Sequence, residues 1–177
     1  MKKFFLVSML FCTLSLSACE VNTPSEASTA ALPTIEVLLD VQQFAGISEE
    51  ALIEKMGEPE SREEWNYNNG VMSYPMVSCV YENNRFEFLL NNDQVLRISV
   101  HADSYNSLDG EPFTFAEKED VLKMFGIDPK DTKYAKKTDT NSALRYEDFG
   151  NIKSLWVPSY KDTSFDEVKI DFSDLFN

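Results

Sequence analysis

The chain has 177 residues, with 16 Lys and Arg against 30 Asp and Glu, and a net charge of −14. A surface that anionic repels phosphate backbones and anionic headgroups, which excludes a nucleic-acid role and a basic membrane-docking patch. A single histidine excludes any multi-histidine metal site, unless carboxylates substitute.

Lys2 and Lys3 open the chain, an apolar run follows from Phe4 to Leu16, and the small residues Ser17 and Ala18 precede Cys19. A basic start, a short apolar core and a small-residue cleavage site make an export signal over residues 1–18. The run is too short to cross a bilayer core, which needs roughly 20 residues. The stretch Leu16-Ser17-Ala18-Cys19 resembles a bacterial lipoprotein signal, whose cysteine is diacylated and becomes the first mature residue. That resemblance makes Cys19 the lipidation site and the membrane a partner through an N-terminal diacylglyceryl cysteine. Two acyl chains anchor stably where one is marginal.

Loss of the leader takes Lys2 and Lys3 with it and leaves 14 basic groups against 30 acidic ones, a formal charge of −16. Residues 19–33 are small, polar and aperiodic, as a flexible tether is. Residues 34–177 are then one globular domain. Cys12 belongs to the leader and Cys19 to the lipid, so Cys79 stands alone and no intrachain disulfide is available to the domain. In Met76-Val77-Ser78-Cys79-Val80-Tyr81 it reads as a small buried apolar residue, with no flanking cation to activate the thiol. Thirteen Phe, seven Tyr and two Trp are enough to build a core.

Ile35 to Phe44 reads as an additional strand or an extended lead-in. Ser48 to Gly57 is a short helix: Ser48 caps it, Glu49 and Glu50 suit the positive end of the dipole, and Leu52, Ile53 and Met56 share a face. Gly57 stops it, and Pro59 prevents its continuation. Strands follow near 64–67, 76–82, 85–90 and 94–101, with turns at Asn83-Asn84 and Asn91-Asn92-Asp93. Asp103 to Gly110 lacks the spacing of a calcium loop and reads as a solvated connection. Thr114 to Gly126 repeats the helix scheme, with Thr114 and Glu117 at capping-box spacing and Val121, Leu122 and Phe125 on one face. Strands near 143–149, 151–157 and 167–172 complete the chain.

Gly57 to Phe86 and Gly126 to Leu155 are equal intervals in the sequence, so the two stretches fall in register. The expected fold class is α+β. It consists of two tandem units, at about 45–101 and 114–172, each a short helix followed by three or four antiparallel strands, forming a sheet with helices packed on one side. Glu50-Ala51-Leu52-Ile53-Glu54-Lys55-Met56-Gly57-Glu58-Pro59 and Asp120-Val121-Leu122-Lys123-Met124-Phe125-Gly126, with Phe86-Glu87-Phe88 and Val95-Leu96-Arg97-Ile98, carry a resemblance to two families. The chain resembles the tandem fold of the β-lactamase inhibitory proteins and the single-unit SmpA/OmlA lipoproteins of outer-membrane assembly. It lacks the paired cysteines of the inhibitors. The inhibitor resemblance implies a concave sheet face that presents aromatics to a protein partner.

No catalytic residue, metal ligand or cofactor is assigned from the sequence. His101, alone at a strand end, reads as a surface group. Glu58, Glu60, Glu63 and Glu64 read as a wet acidic surface. Candidate partner-binding residues are Trp65, Tyr67, Tyr74 and Tyr160, each expected to be partly exposed, since Tyr and Trp dominate binding hot spots. Trp156, between Leu155 and Val157, reads as core. The resulting expectation is a non-enzymatic, lipid-anchored extracytoplasmic protein that recognises a protein or peptide at the cell envelope. Its alternatives are a scaffold subunit of an envelope assembly complex and a carboxylate-dependent cell-wall hydrolase, the latter expected if Glu64 or Asp148 lines a deep cleft. Low glycine and high Asn, Lys, Asp and Phe usage suggests an AT-rich genome and a Gram-positive envelope. The anchor would then sit at the outer face of the cytoplasmic membrane rather than in an outer membrane.

Overall fold

The computed structural model describes residues 35–130, 133 and 135–176. The expected leader, the expected lipidation site Cys19 and the expected tether lie outside the described residues, and Thr34–Asn177 forms one compact unit. The segment 35–40 is extended and runs into a 3₁₀ turn at Val41–Phe44. Helix α1 follows at Glu49–Met56, then strands β1 (Ser61–Asn68), β2 (Ser73–Tyr81), β3 (Phe86–Asn91) and β4 (Gln94–His101). A single turn, α2 (Asp103–Asn106), leads to β5 (Phe113–Thr114) and a second single turn, α3 (Asp120–Lys123). The chain continues as β6 (Ala135–Asp139), β7 (Leu144–Phe149), β8 (Ile152–Val157), β9 (Tyr160–Lys161), β10 (Ser164–Phe165) and β11 (Glu167–Asp171), then a 3₁₀ turn at Asp174–Phe176.

Eight of these strands form one antiparallel sheet in the order β1-β2-β3-β4-β11-β8-β7-β6, and β5-β10-β9 form a small second sheet. This corrects the expected α+β class, because the molecule is mostly β, with three short helices among the described residues rather than two helix-plus-sheet units. The expected second helix is where the expectation fails. Thr114 pairs with Ser164 in the small sheet and so cannot cap a helix. The Asp120 carboxylate instead accepts the N–H groups of Ala116 (3.1 Å) and Glu117 (2.8 Å), so the chain bends there and leaves only one helical turn. Burial pushes the Asp120 carboxyl up, but the Lys123 ammonium and those two N–H groups outweigh it and hold it below its ordinary value.

Helix α1 forms as its sequence dictates. Ser48 Oγ accepts the Ala51 N–H at 3.2 Å, Leu52 is fully buried, and Gly57, at φ +83°, returns its N–H to the Ile53 carbonyl. Asp93, in the two-residue β3–β4 turn, also accepts the Glu49 N–H at 2.9 Å and so fastens the helix to the sheet. Asn92 and Asp93 both take positive φ there, as a turn matched to strand twist requires.

Alternation along the strands sends Cys79, Phe88, Ile98, Val168, Ile170, Leu155 and Tyr146 to one face. That face shares a buried cluster with Val41, Phe44, Leu52, Val121, Leu122 and Phe125 from the lead-in and the helical turns. Cys79 is wholly buried there, as expected, and burial pushes its thiol pKa up. The opposite face carries Ser78, Glu87, Arg97, Ser99, His101, Glu167, Lys169, Asp171, Ser154, Trp156, Arg145 and Glu147. The antiparallel pairs 87–99, 97–171, 99–169, 101–167, 156–169 and 145–156 set these residues side by side.

Candidate functional site

The β1–β2 ribbon outruns its neighbour. β1 and β2 pair from Ser61/Val80 to Asn68/Ser73, whereas β3 pairs with β2 only from Val77 to Tyr81. Pro75 can sit inside β2 because β3 does not pair at that position. The turn at the ribbon's end exposes Val71 (86%) and Met72 (58%), and Asn69 Oδ1 accepts both of their N–H groups.

Three of the four sequence-predicted aromatics meet on this ribbon. Trp65, 39% exposed, stands edge-on to Tyr67 at 6.3 Å between ring centroids, and Tyr67 lies 6.4 Å from Tyr74 and 5.4 Å from Phe176. Tyr67 and Tyr74 are half-buried, and Tyr74 belongs to a strand rather than to the long loop its polar neighbours suggest. Tyr160 is the exception. It is buried in the small sheet against Phe115, and its hydroxyl donates to the Thr140 carbonyl, so it lies apart from the other three and is not an exposed contact residue.

Behind the aromatics lies a ladder of paired charges. Arg97 donates to Asp171 through Nε (2.5 Å) and Nη2 (3.1 Å), Ser154 Oγ adds a third bond at 2.8 Å, and Phe176 covers the guanidinium at 3.9 Å. Ser78 Oγ donates to Glu87 at 2.7 Å, and Arg145 pairs with Glu147 at 2.8 Å. Trp156 is half-buried on this face between Lys169 and Arg145, not in the core as its apolar neighbours suggest.

His101 departs from the expected surface role. Pairing of β4 with β11 buries it, α2 lays Tyr105 flat over its ring at 3.9 Å, and Nδ1–H donates to the Asn84 carbonyl at 2.8 Å. Nε2 stands 3.5 Å from Glu167, which Lys169 also approaches at 3.3 Å. Burial pushes the Glu167 carboxyl up, but His101 and Lys169 outweigh it and hold it below the ordinary glutamate range. A depressed folded-state pKa contributes stability that is complete above the unfolded value of about 4.3 and is lost as pH falls through the lower folded value. Acid unfolding below about pH 4 is therefore expected to be shallower in Glu167→Gln than in the parent chain, and a pH series of melting curves measures it.

Between the ribbon and α2 the face sinks into a recess of about 380 Å³, lined among others by Trp65, Glu87, Arg97, His101, Tyr105 and Lys169. A second recess of about 460 Å³, between α1 and the core side of the ribbon, holds Glu49, Glu64 and Asp93. Its carboxylates already have partners: Glu49 and Glu64 bind Arg62 at 2.6 and 2.8 Å, and Asp93 holds the Glu49 N–H. Asp148 sits exposed at the β7–β8 turn with φ +53°. Among the described residues no three His, Cys, Asp or Glu side chains gather closely enough to hold a metal ion, and no helix is long and apolar enough to cross a membrane.

No family model and no curated protein matches the chain. A crystal structure of an extracellular protein containing an SCP domain, from Bacillus anthracis str. Ames, aligns with 80% of this chain at 13% identity and a TM-score of 0.36. The alignment spans about half of that protein, 48% of its length.

Sequence reasoning missed Phe176, Arg97, Tyr105 and Trp156. Trp156 carried a partial signal: it shares its parity with the polar Ser154 and opposes Leu155 and Val157.

Proposed function

We propose that this chain is a lipid-anchored extracytoplasmic binding protein, held by Cys19, that recognises a protein or peptide at the cell envelope with its uncovered sheet face. The observation that carries this reading is the projecting ribbon, which gathers Trp65, Tyr67 and Tyr74 beside Phe176 and ends in the exposed Val71 and Met72. Aromatic rings that keep exposed area next to fixed charges are the usual anchors of a protein interface. The ion pairs behind them hold the face rigid, so little side-chain entropy is lost when a partner docks. No reaction is assigned to this face.

One experiment tests anchoring and recognition separately. In crosslinked cells the parent chain is expected in the membrane fraction with a bound envelope protein, and Cys19→Ser is expected to release the chain to the soluble fraction. Trp65→Ala with Tyr67→Ala is expected to stay on the membrane and remain folded, with a moderately lower Tm because Tyr67 is half-buried against Phe176, and to lose the crosslinked partner at temperatures where the variant is fully native. An unchanged crosslink pattern in that variant would sink the reading of the face.

A further inference from the structure

β1 is an edge strand of unusual openness. Among the described residues no strand pairs with its outer side, it runs eight residues, and its pairing with β2 is unbroken from Ser61 to Asn68. Edges are commonly protected by shortness, by charged side chains, lysine above all, by proline, or by a bulge that interrupts pairing. The opposite edge shows three of these devices, since β6 is five residues long, contains Lys136 and Lys137, and has a register break between Lys136 and Thr138. β1 contains neither lysine nor proline, and seven of its eight residues are exposed; its charges, Arg62, Glu63 and Glu64, are mostly acidic, and so oppose an acidic strand but not a basic one.

The direction of its backbone groups follows from the hairpin. The Asn69 N–H bonds the Met72 carbonyl, and antiparallel pairing alternates from there, so Tyr67, Trp65, Glu63 and Ser61 exchange bonds with β2. The N–H and C=O groups of Arg62, Glu64 and Asn66 therefore point away from the sheet. Side chains of the first set stand on the open face beside the aromatic cluster, and those of the second stand on the α1 side.

The charge around this edge has one sign. Glu58, Glu60, Glu63 and Glu64 are exposed, and the single base of the segment, Arg62, is already claimed by Glu49 and Glu64. A second copy of the chain laid against β1 would bring these acids together.

Resting on the reading of the face as a recognition surface, we infer that the partner presents an extended, basic segment that adds to the sheet as a ninth strand along β1. Its backbone would bond Arg62, Glu64 and Asn66, its Lys or Arg side chains would meet Glu63 on one face or Glu64 on the other, and its apolar residues would lie against Trp65 and Tyr67. Main-chain bonds of this kind supply affinity while alternate side chains supply specificity.

The test uses the whole detergent-extracted chain and two decapeptides, one alternating Lys and Thr and one alternating Glu and Thr, read by amide hydrogen exchange and by anisotropy of the labelled peptides. The Lys/Thr peptide is expected to slow exchange at Arg62, Glu64 and Asn66 about tenfold, and the Glu/Thr peptide is expected to leave it unchanged. Asn66→Pro removes one outward N–H without touching a bond to β2, and is expected to weaken the Lys/Thr peptide about tenfold while melting as the parent does. The double variant Glu63→Lys, Glu64→Lys is expected to weaken that peptide comparably with every backbone donor intact. Absence of Lys/Thr binding, or undiminished binding to Asn66→Pro, overturns strand addition. If Trp65→Ala with Tyr67→Ala still loses its crosslinked partner, the reading of the open face survives that result. Protection of the three amides without peptide, whether rising with protein concentration or abolished by deleting residues 20–33, assigns the edge to this chain itself and also overturns the proposal.

Discussion

Asp171→Ala is expected to cost about 3–5 kcal/mol, the range for breaking a buried ion pair from one side. Asp171 is 1% exposed, and its two carboxylate oxygens hold Arg97 and Ser154 across three adjacent strands, β4, β11 and β8. Removing the carboxylate strands a guanidinium that is itself mostly buried under Phe176, and that desolvated charge, more than the lost bonds, makes the change costly. For a folded unit of this size the loss corresponds to a fall in Tm on the order of 10 °C. Replacing both partners, Arg97→Met with Asp171→Leu, is expected to recover most of the stability, since no charge is then left without a partner. Urea unfolding of the two single variants and the double variant gives the coupling, and additive losses would show that the pair does not act as a unit. The double variant also tests function, because Arg97 and Phe176 form the wall against which Tyr67 rests.

That joint was the least legible part of the chain. The strand at Gln94–His101 announces itself by alternating side chains, and the β3–β4 turn by Asn92-Asp93, because both signals are local. Nothing local says that β11 returns to lie against β4, since that choice depends on the shape of both strands once the intervening residues have folded. His101 therefore looks like a surface group in sequence yet is buried, and nothing in the sequence marks Arg97 as part of a site. The second helix fails for a related reason. Its caps and apolar spacing are present in sequence, but Thr114 is taken by strand pairing and the Asp120 carboxylate binds the backbone that the helix would have used. Trp65, Tyr67 and Tyr74 are candidates by residue type alone, and the structure brings them together because β1 and β2 form a local hairpin whose alternate residues share a face. Tyr160 carries the same residue-type signal, yet sits in a two-residue strand whose partners come from distant segments, so composition could not reveal its burial.

Phe88→Ala is expected to be the most damaging apolar truncation in the sheet, at about 3–5 kcal/mol. Phe88 is fully buried in the middle of β3, paired with Cys79 on one side and Ile98 on the other. Its ring meets Phe44 at 5.1 Å and stands edge-on to Tyr81 at 5.6 Å. It thus joins the 3₁₀ turn of the lead-in to β2, the strand that forms the inner half of the β1–β2 ribbon. Partners on a strand and on a separate segment cannot both move in to fill the space, so little of the cavity collapses. Tyr81 adds to the loss, because burial has already pushed its phenol pKa up to about 12 and its hydroxyl has no hydrogen-bond partner among the described residues, so its ring depends on apolar contact alone. Phe88→Leu retains most of the volume and is expected to lose less than half as much. Denaturant midpoints of the two variants measure the difference, and equal losses would mean that ring contacts rather than cavity volume set the cost. Phe88 also touches function from below: a variant that loosens β2 frees the ribbon on which Trp65 and Tyr67 are held in register. Partner capture should therefore fall in Phe88→Ala in parallel with stability, whereas in Trp65→Ala with Tyr67→Ala it should fall much further than the loss of stability explains. That contrast separates a residue that holds the surface in place from residues that are the surface.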